Sequence, residues 1–147
     1  MVSYLVARSS RNLVTAWRQQ LTKEWWAEQR GQFACVISQE VIAEAMEGDA
    51  GMAAKRMAVL QGLPLISGGA ESAKLAADLL ERGLFPAVAR ADANHLAVAT
   101  CAAVDYLLTW NFRHLVNALV LHRLEKFIAE RGLHLPRVCT PEELMEI

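Results

Sequence analysis

Apolar residues along this chain recur every fourth position in some stretches and form short unbroken runs in others. That switching of period predicts helices alternating with strands. Leu13, Trp17, Leu21 and Trp25 make one apolar stripe, on a helix that Ser9 or Ser10 can cap and Gly31 can stop. The residues before it read as a loop leading into that helix. Phe33–Ile37 is a buried strand by its unbroken apolar character, Ser38 ends it, and a helix bearing Glu40 and Glu44 runs on to Gly48. Further helices are predicted over 50–60, ending near Gly62, and over 70–82, with Leu75 and Leu79 inward and Gly83 as the stop. An alanine-rich helix over 87–103 starts near Asp92, and an amphipathic one over 116–131 is ended by Gly132. Short strands are predicted over 63–66, 106–109 and 137–139, the first placed at an edge by Pro64. Thr140-Pro141-Glu142-Glu143 has the form of a capping box with proline at the first helical position.

Strands separated by helices pair in parallel, because a crossover helix lets neighbouring strands run the same way. Runs apolar on both faces belong to a sheet covered on both sides. The expected architecture is therefore α/β: a three-layer α/β/α domain with a parallel sheet, spanning 1–147. At 147 residues and 54% hydrophobic, the chain has the length and the apolar content for one such core, which excludes a disordered chain. The longest apolar stretch, Leu96–Leu108, is interrupted by Asp105 and falls short of a membrane span. No basic and apolar succession of the signal-peptide kind opens the sequence. Cys35, Cys101 and Cys139 are odd in number and form no CxxC pair, so reduced thiols in a cytoplasmic protein are expected. A net charge of −1 gives no overall basic excess, and contact with nucleic acid would need a local patch. Phosphate loops of the GxGxxG or GxxxxGK[ST] form and a GxSxG elbow are absent from the sequence.

In an open parallel sheet the ligand site lies past the C-terminal ends of the strands. The polar residues found there are Glu40 and Glu44 after the run 33–37, four apart on one helix face, and Asn111 after 106–109. Asp92 and His95 lie on the helix leading into that second strand. Carboxylate and amide oxygens gathered at one sheet edge suit Mg²⁺ or Mn²⁺. Taken singly, each has a plainer reading. Glu44, and Glu40 more so, fits a solvated helix face. Asp92 fits a first-turn acid favoured by the helix dipole, His95 a packed histidine, and Asn111 a turn residue. The stripe of Leu13, Trp17, Leu21 and Trp25 fits core or dimer surface rather than a base-stacking platform. Arg113, His122, Arg123, Lys126 and Arg131 fit a solvated face as well as they fit phosphate contacts.

Four segments, in order, resemble the PIN-domain family of the VapC type. Val36-Ile-Ser-Gln-Glu-Val-Ile-Ala-Glu44-Ala-Met-Glu-Gly48 resembles that family's strand–helix with a glutamate two turns on. Ala91-Asp92-Ala-Asn-His95-Leu-Ala-Val-Ala99 resembles its third-acid motif, and Val104–Leu115 its last polar position, here Asn111. Val2–Leu13 resembles the segment after its first strand. The resemblance implies a metal-dependent endoribonuclease that hydrolyses RNA with a metal-activated water. Glu44, Asp92 and Asn111 would be the catalytic and metal-binding groups, Glu40 an auxiliary ligand, and His95 and Thr109 supporting residues. It further implies Mg²⁺ or Mn²⁺ as cofactor, a toxin–antitoxin role with a cognate antitoxin, and a homodimer. The family's first strand and first acid would precede Val2, and this sequence contains neither. The expectation is a reading frame that starts upstream or, failing that, a short form completed by another chain. A catalytically silent PIN-like module that binds RNA or a partner protein is the alternative.

Overall fold

The computed structural model describes residues 1–111 and 117–145. Its elements are α1 (Val2–Val6), α2 (Leu13–Glu24), β1 (Ile37–Ser38), α3 (Gln39–Ala45), α4 (Ala50–Leu60), β2 (Leu65–Ile66), α5 (Gly69–Glu81), α6 (Arg90–Cys101), β3 (Tyr106–Leu108), α7 (Ala118–Ala129) and β4 (Arg137–Cys139). Helices dominate, and the strands are two or three residues long. Two strand pairs form, β1 with β2 and β3 with β4. In the second, the Arg137 N–H donates to the Asp105 carbonyl and the Thr109 N–H to the Cys139 carbonyl, so residue numbers rise together along both strands. That is parallel pairing, with α7 as the crossover helix. α3 and α4 occupy the corresponding place between β1 and β2. The chain is thus mixed α/β with short parallel strands.

By its contacts the chain divides into two compact units. The first comprises Met1–Leu65, Leu108–Trp110 and the chain from Cys139 onward. Here α1 packs on α2 and α4. The opening, expected as a loop, is therefore a short helix. The cap of α2 is Asn12, whose side chain accepts from the Thr15 N–H at 3.0 Å; Ser10 serves one step back, its hydroxyl accepting from the Asn12 N–H. Gln19 is buried and anchors the preceding segment, accepting from the Ser10 N–H at 2.9 Å and donating to the Arg8 carbonyl. The apolar stripe of α2 divides along its length: Leu13 is 86% exposed and Trp17 48%, whereas Trp25 is 3% and packs on Phe33. Past Glu24 the helix widens into a π turn over Trp25–Gln29 and tightens into a 3₁₀ turn over Arg30–Gln32, so Gly31 lies inside the last turn rather than beyond it. Of the run 33–37 only Ile37 enters a strand. Ser38 caps α3 through the Val41 N–H, and Asp49 caps α4 through the Met52 N–H.

The second unit comprises Ile66–Leu107 and Asn111–Val138. Its core joins Leu75, Ala76 and Leu79 of α5 to Ala93, Leu96 and Ala97 of α6, with Leu124, Phe127 and Ile128 of α7 and Phe85 of the connecting loop. Spacings of three and four place each set on one helix face. Alanine at positions 93 and 97, both fully buried, lets neighbouring side chains approach the α6 backbone closely. Each large apolar side chain so buried contributes about 1.5–3 kcal/mol. α5, α6 and α7 end alike. Leu84, Val104 and Leu133 donate to carbonyls five residues back, and Gly83, Ala103 and Gly132 to carbonyls three back. Those three residues have φ of 66°, 55° and 69°, the left-handed conformation this ending requires. Glycines 83 and 132 act as the stops their positions predict; Ala103 does the same work with a side chain. The capping box forms as expected: Glu143 accepts from the Thr140 N–H at 2.8 Å, and Thr140 accepts from the Glu143 N–H at 3.3 Å.

Candidate active site

α6 and β3 together place two of the expected site residues. Asp92 sits in the first turn of α6, half-buried, where the positive end of the helix favours a carboxylate. Asn111 follows β3 and is exposed. Its amide nitrogen donates to both oxygens of Asp92, at 3.2 and 3.4 Å, bridging 19 positions of sequence. The contact joins the first turn of α6 to the residues just after β3. His95 is half-buried one turn further along α6, and the Thr109 backbone is held by β4. Thus Asp92 and Asn111 of the second unit form a joined pair of oxygen-bearing groups at the mouth of one helix.

Glu40 and Glu44 belong to the first unit. Both are on α3, Glu40 in its first turn and half-buried, Glu44 a turn later and exposed. Spacing favoured the opposite ranking, with Glu40 the more superficial. Burial pushes the pKa of the Met1 amino group down, and the negative charge of Glu44 opposes that shift. Among the described residues no group of three or more His, Cys, Asp or Glu side chains is arranged to hold a metal ion.

The basic residues sort clearly. His122, Arg123 and Lys126 are exposed on α7. Arg131 pairs with Asp78 at 3.1 Å and lies over the Phe127 ring at 3.6 Å, a structural use of its charge. Arg113 and the rest of 112–116 lie outside the described residues. Cys35, Cys101 and Cys139 form no disulfide with one another, and Cys139 is buried. Burial pushes the Cys35 thiol up against the opposing pull of Arg30, and pushes Cys101 up with Glu71 adding to the effect.

One cluster escaped the sequence reading. Trp110, one residue before Asn111, donates its indole N–H to Thr22 of α2 at 2.8 Å. Thr22 is fully buried and donates in turn to the Arg18 carbonyl. The Trp110 ring meets Trp17 edge-on at 5.9 Å, and the Arg18 guanidinium lies 5.4 Å above it. The signal was present in the three tryptophan-bearing segments, but nothing local in the sequence joins position 110 to a helix 88 residues earlier.

No helix among the described residues is long and apolar enough to cross a membrane. The chain was compared with protein-family models, characterised proteins and solved structures, and it matches none of them.

Proposed function

We propose that this chain is a metal-dependent endoribonuclease of the PIN, VapC-toxin type, with a three-layer α/β/α fold. The observation that carries the reading is the Asp92–Asn111 contact, which joins two motifs identified separately by their resemblance. Parallel strand pairs with helical crossovers support it.

The donor set is made of oxygen: the Asp92 carboxylate and the Asn111 amide, with Glu44 and Glu40 as the acids the resemblance adds. That chemistry fits a hard divalent cation and not a soft one. Bound there, Mg²⁺ or Mn²⁺ would supply an activated water and neutralise charge on a phosphodiester. Asp92 supplies the fixed negative charge, placed at a helix N-terminus that orients it. Asn111 holds the Asp92 carboxylate through its amide nitrogen, and its amide oxygen is a hard donor of the kind such an ion takes. The substrate would be RNA. The biological setting that goes with the reading is a cytoplasmic homodimer restrained by an antitoxin.

A silent RNA- or protein-binding module is the second reading, favoured by the exposed Glu44 and the near-neutral charge. Cleavage of a mixed structured RNA in Mn²⁺ separates the two. The substrates are offered to this chain and to the same chain extended upstream in its reading frame, with Asp92→Asn as control. Cleavage lost in the control supports the nuclease. Folded proteins that leave the RNA intact in both lengths support the silent module.

A further inference from the structure

We propose that Trp17, Arg18 and Trp110 form a subsite for single-stranded RNA, in which Arg18 takes a phosphate and Trp17 stacks on a base; the proposal rests on the RNA-directed reading above. The first ground is electrostatic. Among the described residues no carboxylate pairs with Arg18, and its Nε is buried without a hydrogen-bond partner. A guanidinium held in part away from water favours an anionic partner, and a phosphate matches its planar donors. The Trp110 ring, 5.4 Å away, holds the cation in place without neutralising it. Trp110 is fixed in turn by its hydrogen bond to Thr22, so the cluster is built before any ligand arrives.

The second ground is the neighbouring ring. Trp17 is 48% exposed, although it packs on Trp110 in a T-shaped pair. A half-exposed indole beside an unpaired arginine is the pairing by which single strands are held: the ring takes a base face, the cation the backbone. Leu13 and Val14 are also exposed on this end of α2, which raises a protein partner as the rival occupant. Three apolar side chains on one turn and the next are far short of the roughly 20–30 residues a side of a stable protein interface. A purely apolar partner would also bury Arg18 with its charge unmet. RNA satisfies the ring and the cation together.

The test is fluorescence anisotropy with a labelled single-stranded uridine dodecamer in EDTA, so that cleavage plays no part. The expected result is that Trp17→Ala weakens binding about tenfold and Trp17→Phe restores most of it. Arg18→Gln is expected to weaken binding and reduce the slope of log affinity against log salt by about 1. Wild-type affinity in folded Trp17→Ala and Arg18→Gln would overturn the subsite. So would a dimer that Trp17→Ala dissociates while RNA binding is unchanged, which would assign this face to a second copy. If Trp17→Ala does not fold, indole quenching of the wild type by the same dodecamer decides, and no quenching overturns the proposal. Cleavage in Mn²⁺ by a protein whose binding ignores these substitutions would sink the subsite and leave the nuclease standing.

Discussion

Ala103→Gly should make the protein more stable, and Gly83→Ala should make it less so. Both residues close helices of the second unit in the same way, with an i→i−3 and a following i→i−5 hydrogen bond. Ala103 has φ 55° and Gly83 φ 66°. An L-residue in this conformation costs about 1–2 kcal/mol, through the clash of Cβ with the following carbonyl. Glycine relieves that clash but loses more freedom on folding, about 0.5–1 kcal/mol. Ala103 is exposed, so its methyl group adds little burial. The net gain for Ala103→Gly is then about 0.5–1 kcal/mol. In the opposite direction, a Cβ on Gly83 would meet open space, so only the backbone term applies and about 0.5–1 kcal/mol is lost. Urea unfolding followed by circular dichroism reads both, and in heat the shifts correspond to about 1–4 °C in Tm. A loss of stability in Ala103→Gly, with an unchanged urea slope, would refute the reasoning that Ala103 carries backbone strain.

Thr22→Val keeps the shape at the centre of the Trp110 contact but removes the acceptor of its indole N–H, which is expected to cost about 1–3 kcal/mol by urea unfolding. Leu79→Ala opens a cavity at a fully buried position of the α5–α6 core, and a loss of about 2–5 kcal/mol is expected in the same measurement. The raised thiols of Cys35 and Cys101 set a pH dependence of defined sign. Their protonated form is favoured by the fold, so their contribution to stability is complete below the ordinary thiol value of 9.0 and is lost as pH climbs toward the raised folded values. Stability measured upward from about pH 9 should fall less steeply in the double Cys→Ala variant than in the wild type.

Local rules were readable where the partners are neighbours in sequence. The Thr140–Glu143 box and the stops at Gly83 and Gly132 each depend on groups within a few residues, and each formed where the pattern put it. The α5, α6 and α7 helices followed from spacing because one continuous core rewards the same face of each. The run 33–37 misled because apolar content marks burial, whereas a strand exists only where another chain segment pairs with it, and that pairing is not encoded locally. The stripe on α2 misled for a related reason: periodicity identifies a face but not how far along the helix the face is covered, and cover is lost between Trp25 and Leu13. The opening helix was missed because five residues carry too little periodicity to stand out from a loop. At the site, Asp92 and Asn111 were named from motif and position, and their contact follows from α6 starting near the point where β3 ends. The Trp110–Thr22 bond was illegible, since it depends on a tertiary approach across most of the chain.

The central claim, that Asp92 and Asn111 belong to a divalent-cation site, is tested most directly by titrating the ¹⁵N-labelled protein with Mn²⁺ and recording amide spectra. Paramagnetic broadening should appear first at the Asn111 side-chain amide and the backbone around Asp92, should be competed by Mg²⁺, and should be lost in Asp92→Asn. Broadening confined to other residues, or a response unchanged in Asp92→Asn, would contradict the assignment.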